Sequence, residues 1–130
     1  MSAYKQVNYN EIEPVSGAMH ALGDSLDSKQ VGVSVVRCDP GWRNMPHDHA
    51  ENDHEEIYIL IDGEATVVID DDEITMESGD AVWIEPSATR QIRNSDTESA
   101  FVLVSAPASR CVAASCEGDD DFWSIEGFVG

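Results

Sequence analysis

The chain has 130 residues, enough for one domain with a modest core, and no apolar run in it is long enough to span a bilayer. Asp and Glu total 26 against 7 Lys and Arg, a formal net charge of −19, so nucleic acid is excluded as a partner by repulsion from its phosphates. The acids are scattered, with runs at 70–73 and 119–121 where turns or surface loops are expected, and read as a halophilic-type surface adapted to high salt.

Residues 1–13 are polar and mixed, without a basic stretch followed by an apolar one, so no secretory leader is expected and the chain reads as cytoplasmic. Residues 1–30 are expected to pack on a barrel formed by 31–105, with 106–130 as a tail docking on the barrel or on a dimer partner. Within 14–26, Met19, Leu22 and Leu26 fall at helix-like steps broken by Gly17 and Gly23, which predicts a short helical turn or irregular segment. His20 stands alone there and reads as structural. From 31 the pattern changes to strands, predicted at 31–37, 56–61, 65–69, 74–76, 81–84, 89–94 and 100–105. Turn signals separate them: Asp39-Pro40-Gly41, Asp62-Gly63, the acidic run at 70–73, Ser78-Gly79-Asp80, Pro86-Ser87 and Ser95-Asp96-Thr97. Short strands punctuated so regularly predict an all-β sandwich or barrel. The run 56–61 is apolar on both faces after its glutamate, so a second subunit or the N-terminal segment is expected to cover the outer face. Cys38, Cys111 and Cys116 form no C-x-x-C and are odd in number, which argues against a disulfide framework or a cysteine-built zinc site. The tail ends in an apolar closing stretch, Phe122, Trp123, Ile125, Phe128 and Val129, expected to be docked.

The chemistry concentrates between Gly41 and Gly63, reading GWRNMPHDHAENDHEEIYILIDG. His47 and His49 are two apart and share a side of an extended chain, and Glu56 opens the next strand. Imidazole nitrogens with a carboxylate suit Zn, Mn, Fe or Ni. His54, two residues before Glu56, would share its face. Trp42, Tyr58 and Trp83 fit either a pocket lining or the barrel core, and core is the more common role.

The order glycine, five residues, H-x-H, glutamate, six residues, glycine resembles the first signature of the cupins, matched here by Gly41, His47, His49, Glu56 and Gly63. The gap from His49 to Glu56 is six residues, longer than the family's three or four. The second signature is degraded: Asn94 fits its last position, but counting back three residues puts Arg90 where the family has its fourth metal ligand. The resemblance implies a cupin-type β-barrel or jelly roll, a homodimer and a divalent metal site drawn from His47, His49, His54 and Glu56.

Arg90 should point into the barrel, because Ile92 on the same strand face belongs inside. A guanidinium is never deprotonated and cannot ligate a metal. Three arrangements follow: a reduced ligand set with His54 as the replacement; a metal-free site with Arg90 paired to Glu56; or Arg90 as a clamp on a substrate carboxylate or phosphate beside a three-ligand metal. Gln91 faces away and is a weaker replacement. The function expected is metal-dependent oxygenase or isomerase chemistry on a small anionic metabolite, the alternative being a non-catalytic small-molecule-binding barrel, with or without a metal.

Overall fold

Alternating side chains build two sheets whose apolar faces meet. In the computed structural model, which describes residues 3–108, one antiparallel sheet has the order β1-β2-β8-β3-β6 and the other β5-β4-β7. The strands are β1 Met19–Ala21, β2 Gly32–Cys38, β3 His54–Asp62, β4 Glu64–Ile69, β5 Asp72–Glu77, β6 Ala81–Ile84, β7 Arg90–Asn94 and β8 Ser99–Pro107. The larger sheet turns Val36, Tyr58, Leu60, Ile84 and Phe101 inward, and the smaller contributes Ala65, Val67, Met76 and Ile92 to the same buried cluster. This is a cupin-type jelly roll, with the two sheets closing over one core.

All of the expected strands are present, displaced at their ends by no more than two residues. β1 is the addition. Where a helical turn or irregular segment was expected, Met19–Ala21 forms an edge strand paired with β2 (Met19 opposite Val36), and the short helix α1, Leu22–Leu26, follows it. Three residues are too few to show a two-residue period, so the pairing, a tertiary contact, decides the conformation. The segment before β1 lies on this edge: Tyr9 meets the His20 ring edge-on at 5.1 Å, and Arg37 donates to the Tyr9 hydroxyl at 3.0 Å. His20 Nδ1 also lies 2.9 Å from the Ile12 carbonyl, a structural use of that ring.

β3 carries Glu56, Tyr58 and Leu60 on its inner face and Ile57, Ile59 and Ile61 on its outer face. Trp83 on β6 joins that outer face, 56% exposed, with its indole N–H donating to Glu55 at 2.8 Å; it is outside the buried core and does not line the cavity beside the histidines. Between β3 and β4 the chain turns at Gly63, whose φ is +82° and where a Cβ would stand 2.4 Å from the Glu98 carbonyl oxygen, so only glycine fits. Cys38 is buried, and burial is the main cause raising its thiol pKa. Cys111, Cys116, the acidic run at 119–121 and the apolar closing stretch lie outside the described residues. Among the described residues no helix is long and apolar enough to cross a membrane.

Asn94, the residue that fits the end of the second signature, ties β7 to the turn before the histidines. Its side-chain amide donates to the carbonyls of Cys38 (3.1 Å), Asp39 (2.6 Å) and Thr97 (2.9 Å), and its Oδ1 accepts from the Ser99 hydroxyl at 2.6 Å. Asn94→Ala is expected to cost about 2 kcal/mol by leaving several of these groups unmatched. A denaturant melt should show a lower midpoint at unchanged slope.

Candidate metal centre

Backbone pairing presents the H-x-H segment to the barrel mouth. His47 and Arg90 exchange both backbone hydrogen bonds, at 3.0 and 2.8 Å, and the His49 N–H donates to the Pro86 carbonyl at 2.8 Å. The long gap to Glu56 is absorbed in a turn. Ala50 N–H donates to Asp48 Oδ1 at 3.1 Å, Asp53 N–H to the His49 carbonyl at 2.8 Å, and Asp53 takes a φ of +54°. That fold-back returns the chain so that Glu56 Oε1 stands 3.1 Å from His49 Nε2.

One ligand atom from each of His47, His49 and Glu56 lies within 4.8 Å of the others. Two donors about 2.1 Å from one ion sit roughly 3–4 Å apart, so a small closure of the side chains would let this group hold a metal. His54 is not part of the group. It shares the face of Glu56, but two residues along a strand is a step of roughly 6.5 Å, and that step carries the ring away from the others.

Hydrogen bonds set the tautomers of the two rings. His47 Nδ1 lies 3.0 Å from the Met45 carbonyl, which only accepts, so Nδ1 carries the proton and Nε2 keeps a free lone pair. The His49 pKa is lowered, first by burial and then by the charges of Arg90, His47 and His54, against the opposing pull of Glu56. Burial thus favours the neutral ring, and because its Nδ1 accepts from the Asn52 amide at 3.3 Å the proton is on Nε2, facing Glu56, where a metal would displace it. Tyr58 is pushed up, mainly by burial and next by the Glu56 charge, and stays a phenol with its hydroxyl 3.5 Å from Glu56 Oε1.

Arg90 is inside the barrel with no exposed surface. Its Nη2 donates to the Glu85 carbonyl at 2.9 Å, and its Nε lies 3.7 Å from Glu56 Oε1, a charge contact too long for a hydrogen bond. Nε and Nη1 have no hydrogen-bond partner. Arg90 does not line the neighbouring cavity, so a molecule there would not touch the guanidinium that had been expected as a clamp.

That cavity, about 490 Å³, opens beside His47, His49 and Glu56. Trp42 and Tyr58 are in its wall, as are Met19, Met45 and Leu103, which the sequence did not single out. Leu103 is foreseeable from alternation with buried Phe101; Met45 and Asn52, in irregular chain, carry no periodic signal.

A two-sheet jelly roll whose mouth gathers two imidazoles and a carboxylate defines a barrel of the metal-site type. The chain belongs to the cupin family: it matches the cupin domain over residues 34–106. It is similar to a cupin protein from Bacteroides fragilis at 26% identity, covering 87% of this chain and 92% of that one, with a TM-score of 0.73. A sugar phosphate isomerase of the cupin superfamily from Silicibacter pomeroyi is 26% identical over 68% of this chain and 57% of that one, with a TM-score of 0.59. A cupin 2 conserved barrel domain protein from Salinispora arenicola, 19% identical over 83% of this chain and 91% of that one at a TM-score of 0.63, speaks to the fold alone. No curated protein matches the chain.

Proposed function

We propose that this cupin binds one divalent metal ion through His47, His49 and Glu56 and uses it on a small molecule held in the adjoining cavity. What carries the reading is the convergence of three ligand atoms, from two separate segments, within 4.8 Å beside a cavity of about 490 Å³. A bound Zn, Mn, Fe or Ni ion with open positions would polarise a ligand oxygen or, for iron, permit oxygen chemistry. The chain's own part is orientation: the Met45 carbonyl fixes the His47 ring, and β3 holds Glu56 from the opposite side. Isomerase or oxygenase chemistry fits such a site, and the similarity to a sugar phosphate isomerase supports isomerisation at the level of class only.

Elemental analysis by mass spectrometry on untagged protein, incubated with each metal and desalted, tests the reading. One equivalent of metal per chain is expected. No retained metal with any of the four ions would overturn it. It would also favour the metal-free binding barrel, for which the specific support is Arg90 at the family's fourth-ligand position, 3.7 Å from Glu56.

The second copy belongs to the same proposal. Ile57 (39% exposed), Ile61 (52%) and Trp83 (56%) leave the outer face of the larger sheet apolar, and a homodimer would cover it. Light scattering after size exclusion should give twice the 14.2 kDa chain mass, and Trp83→Glu should give the single chain mass with its melting point lowered.

A further inference from the structure

We infer that the ligand of this cavity is an uncharged, largely apolar molecule that reaches the metal with an oxygen, and not a phosphorylated or carboxylated metabolite. The inference deepens the proposed function and rests on it for the metal. Its own support is the composition of the wall. Met19, Val36, Trp42, Met45, Ile92 and Leu103 are apolar parts of the wall, and no Lys or Arg is among the lining residues.

An anion entering such a space loses its hydration and needs N–H donors or positive charge to replace it. None of the six described basic residues, Lys5, Lys29, Arg37, Arg43, Arg90 and Arg93, is in the cavity lining. Arg90 has no exposed surface and is not among the lining residues, Lys5 pairs with Asp27, Arg93 pairs with Glu73, and Arg37 is turned to Tyr9 on the edge of the sheet. Asn44 in the wall is held in place by its acceptors, its side-chain oxygen accepting from the Ile92 N–H at 2.8 Å and its carbonyl from the Gln91 amide at 2.8 Å. Glu56 adds a negative charge at the cavity floor, and the whole chain carries −19, so the field at the mouth opposes anions before any contact is made. A metal ion at Glu56, with Arg90 3.7 Å from the same carboxylate, would orient one neutral oxygen donor; the preference against anions rests on the wall and not on the ion.

Apolar matter, by contrast, is favoured. Trp42 is half-buried and Met45 is 79% exposed at the mouth, a large flat ring beside a flexible thioether, both suited to a planar or short aliphatic body. A volume of about 490 Å³ lies within the range of ordinary small-molecule sites.

The test is calorimetric titration with a matched pair, 1-naphthol and 1-naphthyl phosphate, at about 0.15 M salt, where charge beyond roughly 8 Å is screened. Each probe is run against metal-free protein and against protein incubated with zinc. Naphthol is expected to bind both forms at least tenfold more tightly than the phosphate, and more tightly with zinc present. Trp42→Ala should weaken naphthol about tenfold without changing zinc stoichiometry. Met45→Arg, at an exposed position on the wall, should narrow the gap by improving the phosphate. Equal or tighter binding of the phosphate, or failure of both probes to bind, would overturn the inference. Absence of zinc uptake would count against the metal reading alone, because the preference is read in the metal-free form as well.

Discussion

His47→Ala with His49→Ala is expected to abolish metal retention while leaving the barrel folded. A structural zinc site of four ligands is worth about 10–16 kcal/mol, or roughly 3 kcal/mol and a hundredfold in affinity per ligand, so losing two of three donors should weaken binding by about ten-thousandfold. The fold should survive because the pairing that anchors these residues is backbone, His47 with Arg90 and His49 with Pro86, and the side-chain tie to the barrel that is lost is His49 Nε2 to Glu56 at 3.1 Å. Alanine keeps both N–H groups and both carbonyls. Both side chains are also only half-buried, so truncation leaves no closed void in the core. Metal content and the metal-induced rise in melting temperature, measured on the same samples, separate loss of ligands from loss of fold. His54→Ala is the informative companion. With His54 outside the three-residue group, it should retain metal. Retention of one equivalent by the double variant would move the site elsewhere, whereas loss in His54→Ala would bring that ring back as a ligand.

The strands and the histidine cluster were legible because each is a local pattern. Alternation placed β2 to β8 within two residues, and the same alternation put Arg90 on the inner face with Ile92, where the structure has both buried. Features set by tertiary contact were not legible. β1 is a strand because Met19 meets Val36, a pairing that three residues cannot announce. Trp83 is on the outer face because β6 pairs with β3 in a register that sets it opposite Ile57. The six-residue gap before Glu56 left its reach undecided, and what decides it is a turn closed by Asp48 and the His49 carbonyl. The Arg90 charge could be placed inside from the pattern, but not that its guanidinium would stay out of the cavity lining. Periodicity states which face a residue takes and is silent on how deep it lies.

Arg90→Met is expected to destabilise the metal-free protein by about 3 kcal/mol and, at the same time, to tighten metal binding at least tenfold. Glu56 is 7% exposed, and Arg90, with its Nε at 3.7 Å, is the cation that faces it in the barrel. Removing one member of a buried charge pair leaves the other without compensation, which typically costs about 3–5 kcal/mol. The contact here is longer than a hydrogen bond and Nε and Nη1 are unmatched, so the lower end of that range applies. The same geometry sets the second sign. A metal at Glu56 must share the carboxylate with a permanent positive charge and is repelled by it. With methionine in place of arginine the ion becomes the main counter-charge, and its binding should recover most of the lost stability by mass action. Two further variants make the argument decisive. Arg90→Met with Glu56→Leu removes both charges and should regain most of the metal-free stability while binding no metal, since an apolar replacement of a whole buried pair is often neutral or better. Arg90→His restores an imidazole at the family's fourth-ligand position, and should bind more tightly than Arg90→Met if that ring reaches the ion. Chemical denaturation and zinc titration across the four proteins give the two readouts independently. If Arg90→Met neither loses metal-free stability nor gains affinity, the guanidinium is not the counter-charge of Glu56, and its place inside the barrel is a matter of packing alone.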